Sequence, residues 1–175
     1  MKRLAASLVL ATALALLPAQ AAPADITYLS AGVFPDDELA ALSSSGDPFA
    51  VGGGTVGTTQ FAFSAHCATA FCAPDSGTAS GYAVVSDPTL GEAQGHVCSY
   101  FTPSTKVAVF SIDVEKASGV FGLTPALFFL AEDLGGQPPS STADEMEIRG
   151  TDGCGVPVVP LTSGPVVQGN IVVEP

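Results

Sequence analysis

The sequence predicts an all-β domain, a compact antiparallel sandwich or barrel of about seven to eight short strands with one short N-terminal helix. Apolar residues recur at every second position in several segments, and turn-forming residues separate those segments. Only one segment shows a helical pattern. A hydrophobic share of 47% with 13% charged residues is typical of a chain that packs a core.

The N-terminus has the three parts of a secretory signal peptide. Met1–Arg3 is basic, Leu4–Leu17 is apolar, and Ala19–Ala21 offers small residues at a cleavage site. The apolar run is shorter than the roughly 20 residues that a membrane-spanning helix needs. We therefore predict a bacterial-type signal peptide over residues 1–21 and a secreted, extracellular product without a membrane anchor.

The chain after the leader divides into two parts. Residues 22–51 form an N-terminal segment in which Pro35–Leu42 predicts the helix, because acidic residues crowd its first turn and apolar ones follow. Residues 52–175 form the β domain. The glycine cluster in Ala50–Gly57 has no lysine beside it, so we interpret it as a glycine-rich strand entry or linker and not as a phosphate loop.

Alternation is clearest in the middle of the chain. In the segment Gln60–His66, Phe61, Phe63 and Ala65 share one face, and polar residues share the other. This pattern predicts a strand that keeps His66 near solvent. Further strands are predicted at Ser80–Ser86, Gly95–Thr102, Lys106–Glu115 and Ala126–Glu132.

Two late segments also alternate and predict strands with one wet face. The apolar positions of the first are Met146 and Ile148, and those of the second are Val167, Ile171 and Val173. All five side chains are expected in the core.

The chain has four cysteines, Cys67, Cys72, Cys98 and Cys154, an even number that predicts two disulfides in an oxidising compartment. Three pairings are possible, of which we favour Cys67 with Cys72 and Cys98 with Cys154. The alternative is a zinc site, which would be assembled from His66, Cys67, Cys72, His96 and Cys98. We disfavour it, since His66 and Cys67 are neighbours in a strand and point to opposite faces.

The charge of the chain restricts its partners. The formal net charge is −12, and loss of the leader leaves Lys106, Lys116 and Arg149 against 17 acidic residues. Nucleic acids and anionic membrane surfaces would be repelled by such a protein. We expect neither as a partner, and an extracellular partner or ligand that the sequence does not identify.

Carboxylates border one predicted loop. Glu132, Asp133, Asp144 and Glu145 are weak candidates for calcium ligands, because hard cations prefer clustered carboxylate oxygens. No EF-hand spacing accompanies them. The alternative is that these acidic side chains are solvated, and apart from calcium no cofactor is indicated.

Catalysis has little support in the sequence. The chain lacks a Gly-x-Ser-x-Gly nucleophile elbow, and His66 and His96 are its two histidines. The absence of tryptophan argues against a sugar-stacking floor. We favour a non-enzymatic binding or structural role, with loops around Ala68–Gly77 and Gly135–Thr142 as contact regions. The alternatives are a small secreted hydrolase that uses His66 or His96, and a carrier of a small apolar ligand.

A set of short motifs carries a family resemblance. They are Phe61-x-Phe63-Ser64-Ala65-His66, Gly95-His96-Val97-Cys98, Glu132-Asp133-x-Gly135, Asp144-Glu145, Cys154 and Gly169-Asn170-Ile171-Val172-Val173. In this order they resemble small secreted proteins of unknown function from actinobacteria and similar bacteria, over roughly residues 52–175. The resemblance implies a compact β fold without an assigned activity, so it transfers no catalytic residue.

Overall fold

A computed structural model describes residues 46–175 of the chain except 70, 75, 136–142 and 156. The predicted signal peptide over residues 1–21 and the predicted helix Pro35–Leu42 lie outside the described residues. The described residues form the strands β1 Phe49–Val56, β2 Thr59–Cys67, β3 Phe71–Cys72, β4 Ala79–Asp87, β5 Gly91–Ser104, β6 Val107–Ala117, β7 Ala126–Glu132, β8 Glu145–Thr151 and β9 Val159–Glu174, with a 3-10 turn at Phe121–Leu123.

The strands close into a barrel. Going round the ring, the order is β1, β2, β4, β5, β6, β7, β8, β9, and every neighbouring pair is antiparallel. β9 pairs back onto β1, which closes an eight-strand ring, while β3 is an extra short strand beside β5. The domain is therefore an up-and-down barrel, the second of the two architectures that the sequence left open.

The barrel interior is filled by aromatic and aliphatic side chains. On β2, Phe61, Phe63 and Ala65 face inward as predicted, and Phe63 is completely buried. The Phe63 ring lies 4.9 Å from that of Phe110, which stacks on Phe129 with 4.7 Å between centroids. A barrel of eight strands is just wide enough for side chains to fill, so these rings form one continuous core.

The glycine cluster lies within β1, where its small size lets the strand approach its neighbours. Gly52 faces inward, and a Cβ atom there would lie 2.9 Å from Cε1 of Phe63. Gly54, also inward, faces the Val166 side chain and the backbone of Gln168 in the same way. A larger side chain at either position would displace the core or the β1–β9 pairing.

The prediction that Val167 faces the core is wrong. The register of β1 against β9 shifts between Thr55 and Val56, which pair with Gln168 and Val166 respectively. This bulge leaves Val167 as an extra residue that is 52% exposed, whereas Ile171 is buried as predicted. Alternation in the sequence does not reveal a bulge, because the inserted residue is itself apolar.

Both disulfides follow the favoured pairing. Cys67 is bonded to Cys72, and Cys98 is bonded to Cys154. The second bond joins β5 to the connection after β8. All four thiols are consumed, so none is available as a zinc ligand.

Removal of the two disulfides is expected to have unequal effects. The Cys98–Cys154 bond spans 56 residues and the Cys67–Cys72 bond spans 5. By loop-closure entropy, the double variant Cys98→Ser/Cys154→Ser loses about 4 kcal/mol of unfolding free energy, and Cys67→Ser/Cys72→Ser about 2 kcal/mol. Urea denaturation of both variants measures this order, and a larger loss from the short bridge would contradict it.

Candidate functional site

The two histidines lie on the outer wall of the barrel, on strands β2 and β5. Ser80 on β4 is opposite His66, and its Oγ lies 2.7 Å from His66 Nε2. His96 Nε2 lies 3.4 Å from a carboxylate oxygen of Glu115 on β6. Each histidine has a polar neighbour, but β4 separates them, so they do not form one site.

The contact between Ser80 and His66 brings together a serine and an adjacent base, which are two of the three groups of a catalytic triad. A serine nucleophile needs an adjacent base, and the base needs a third group to orient it. Among the described residues, the side-chain contacts of His66 contain no carboxylate. The pair lies exposed on the wall, where water competes for the hydroxyl hydrogen bond.

Tyr82 and Glu115 form a second polar group beside His96. The ring of Tyr82 meets that of His96 edge to face, with centroids 5.0 Å apart. Burial raises the pKa of the Tyr82 phenol, and the negative charge of Glu115, which accepts a hydrogen bond from it, raises it further. Tyr82 therefore stays protonated at neutral pH and serves as a hydrogen-bond donor.

Asp133 and Asp144, two of the calcium candidates, form hydrogen bonds that stabilise the fold. The need for these bonds follows from the length of β9. Residues 159–165 of β9 pair with β8, whereas residues 166–174 pair with β1. The second half of β9 therefore has no strand on its β8 side. Its backbone N–H groups on that side need other acceptors.

Asp144 and Asp133 supply these acceptors from the connection between β7 and β8. The N–H of Ile171 donates to Oδ2 of Asp144 at 2.7 Å, and the N–H of Val173 donates to Oδ2 of Asp133 at 3.4 Å. Oδ1 of Asp144 accepts from the N–H of Leu134 at 3.0 Å. The buried Asp144 carboxylate thus replaces a missing strand.

Glu132 and Glu145 remain on the outer wall. They lie directly opposite each other, at the ends of β7 and β8. Among the described residues, no group of three or more His, Cys, Asp or Glu side chains is arranged to hold a metal ion. The calcium site stays a prediction, and its four carboxylates are divided between two places.

Tyr100 is a buried polar side chain without a partner among the described residues. Its hydroxyl forms no hydrogen bond with them, and burial raises the pKa of this phenol. Tyr100 lies directly opposite Phe110, which is completely buried. The carrier of a small apolar ligand stays a prediction.

Register across the outer wall places four apolar side chains in one row. Phe71 of β3 lies directly opposite Phe101 of β5. Phe101 lies opposite Val109 of β6, which in turn lies opposite Leu130 of β7. Their neighbours along β6 and β7 point into the core, so these residues point outward. We refer to these four residues as the apolar row.

The first two members of the apolar row are both exposed and lie in contact with each other. Phe71 is 58% exposed and Phe101 is 42% exposed, and their rings meet edge to face at 5.9 Å. The backbone beside Phe71 is held by the Cys67–Cys72 disulfide, and its carbonyl accepts a hydrogen bond from the Thr69 hydroxyl at 2.8 Å. Two large apolar side chains are thus presented to solvent side by side.

Known proteins add no assignment. No protein-family profile, curated protein or solved structure matches the chain. The resemblance to small secreted proteins of actinobacteria therefore stays a prediction. Within the described residues, no helix is long and apolar enough to cross a membrane.

The loops that the sequence favoured for binding leave one end of the barrel. β2 and β7 run in the same direction, so the connections that follow them lie at the same end. The first, Ala68–Gly77, contains β3 and thus Phe71. The second, Gly135–Thr142, falls outside the described residues after its first residue. A contact role for these loops stays a prediction, and the apolar row was not anticipated from the sequence.

One signal in the sequence could have revealed the row. Tyr100 and Phe101 are adjacent in a predicted strand, and adjacent strand residues face opposite sides. Because Tyr100 is inward, Phe101 has to face solvent. The opposition of Phe71, Val109 and Leu130 depends on strand register, which the sequence does not show.

The buried carboxylate of Asp87 lies at the opposite end of the barrel and joins the β1–β2 turn to the β4–β5 turn. Its Oδ2 accepts the hydroxyls of Thr58 and Thr59, at 2.7 and 2.9 Å. Its Oδ1 accepts the N–H and hydroxyl of Thr89 and the N–H of Leu90. Burial alone would raise the pKa of Asp87, but these hydrogen bonds outweigh burial and hold the pKa far below its usual value.

Asp87→Asn is expected to reduce stability in a pH-dependent way. A lowered carboxyl pKa stabilises the fold above the ordinary value and loses that effect as the pH falls. The variant should lose about 2 kcal/mol at pH 7, and the gap to wild type should narrow as the pH falls from about 4 towards 2. Urea denaturation at several pH values tests this, with the exposed Asp113→Asn as control. A gap that is constant with pH would contradict the role.

Proposed function

We propose that this chain is a secreted, non-enzymatic binding domain whose barrel displays the apolar row to an extracellular partner. The barrel itself is a disulfide-stabilised scaffold. The observation that carries the proposal is the exposed pair of Phe71 and Phe101, whose rings contact each other edge to face. Rigid aromatic anchors dominate binding energy at protein interfaces, because little conformational freedom is lost when they become buried.

Secretion is supported by two independent features. The first 21 residues have the pattern of a signal peptide. Both disulfides belong to an oxidising setting, where such bonds persist. A β domain with a short-loop disulfide next to its exposed aromatic residues suits a protein that meets its partner outside the cell.

Site-specific cross-linking tests the binding surface. Phe101 is replaced by a photoreactive phenylalanine analogue in the full chain, expressed in its host, and the culture medium is irradiated. We expect a discrete cross-linked partner that is reduced when Phe71→Ser is added, because both rings form the anchor.

The matched control for this experiment is the same analogue at Leu123. This residue is 81% exposed, but it lies in the connection between β6 and β7, at the opposite end of the barrel. The proposal predicts cross-linking from position 101 and not from position 123. Equal yields from both positions, or none from position 101, would contradict the proposed surface.

The second candidate is a small hydrolase, favoured by the 2.7 Å contact between Ser80 Oγ and His66 Nε2. In that function Ser80 would be the nucleophile and His66 the base that takes its proton. This candidate predicts that a fluorophosphonate probe modifies Ser80 and that His66→Ala abolishes the modification.

The binding proposal predicts no labelling at Ser80, since His66 has no orienting carboxylate among the described residues. Mass spectrometry of the treated protein decides between the two candidates. Stoichiometric modification of Ser80 that depends on His66 would replace the binding proposal by the hydrolase.

A further inference from the structure

Acidic side chains beside the apolar row indicate the chemical class of the partner that binds there. We rest this inference on the proposed function. Leu130, the last residue of the row, lies opposite Glu147 on β8. Two residues nearer to the end of each strand, Val107 of β6 lies opposite Glu132 of β7. Glu132 in turn lies opposite Glu145 of β8. Carboxylates therefore surround the Leu130 end of the row.

Glu132 and Glu145 place two like charges in directly opposite positions of the wall. Like charges in directly opposite positions of a sheet destabilise it. Among the described residues, no Lys or Arg forms an ion pair with either carboxylate, and Arg149 is paired with Glu147 at 2.6 Å. A cationic group from outside the domain would relieve this repulsion.

A cationic side chain suits these two carboxylates better than a calcium ion. Calcium takes about six to eight oxygen ligands. The neighbouring Asp133 and Asp144 already accept backbone N–H groups of β9. Two remaining glutamates match the ammonium or guanidinium group of a partner, which binds carboxylates through charge-assisted hydrogen bonds.

The apolar row itself limits the shape of the partner. Its four residues cross three strand-to-strand steps, which gives a length of about 14 Å. A short helix or extended segment presents one apolar face of that length. The formal net charge of −12 attracts cationic chains over a distance and repels a second copy of this one.

We propose that the apolar row binds a basic amphipathic peptide segment of the partner. Its apolar side chains would cover Phe71 and Phe101. Its Lys or Arg side chains would lie between Glu132 and Glu145. The aromatic pair provides the contact area, and the carboxylates select the charge.

Calorimetric titration of the full, oxidised chain with synthetic peptides tests this inference. The probe is a peptide of about 14 residues made of Leu and Lys, with Leu along one helical face. A second peptide carries Glu in place of every Lys, and a third has the first composition in scrambled order. We expect only the first peptide to bind, and to bind more weakly as the salt concentration is raised.

Two double variants separate the apolar and the charged contributions. Phe71→Ser/Phe101→Ser is expected to weaken binding by at least about 30-fold. Glu132→Gln/Glu145→Gln is expected to weaken it by about 10-fold and to reduce its salt dependence. The matched control, Glu92→Gln/Asp113→Asn, removes the same charge elsewhere on the wall and should change affinity by less than about 2-fold.

The outcomes distinguish the inference from the proposed function. Binding that requires Phe71 and Phe101 but is equal for the Lys and Glu peptides would keep the row as the binding surface and overturn a basic partner. Binding that ignores Phe71→Ser/Phe101→Ser would overturn the row itself. A failure of every peptide to bind, or a dimer that the same double variant dissociates, would also overturn the inference.

Discussion

Pairing of β9 with β1 is the interaction on which the rest of the structure depends. It closes the sheet, and closure gives every strand an inward and an outward face. The inward face is filled by rings such as Phe63, Phe110 and Phe129. The outward face carries the exposed pair of Phe71 and Phe101, on which the proposed binding surface rests.

Closure also explains why this acidic chain keeps buried carboxylates. The ring closes with β9 shared between β8 and β1, so part of β9 has no strand beside it. Asp144 replaces that strand by accepting the N–H of Ile171, and Asp87 closes the other end with hydroxyl and N–H donors. The buried carboxylates near the barrel ends are thus part of its hydrogen bonding, whereas the outward Glu132, Glu145 and Glu147 set the sign of the wall beside the apolar row.

The sequence was sufficient for features that depend on local alternation and on covalent chemistry. The inward face of β2, with Phe61 and Phe63, and the two disulfides belong to this group. It was insufficient for features that depend on register between strands. Val167 lies outside the core because of a bulge in β9. Phe71 contacts Phe101 because β3, a strand of only two residues, pairs with β5. Neither is encoded in the periodicity of one segment.

The most direct test of a filled barrel that binds on its outer wall is NMR mapping of the isotopically labelled protein during titration with the Leu–Lys peptide. We predict that amide shifts concentrate at Phe71, Phe101 and Val109, with intermolecular contacts to the two phenylalanine rings. Shifts centred on the inward residues Tyr100 and Phe129 would show that the ligand enters the barrel, and would contradict binding on the outer wall.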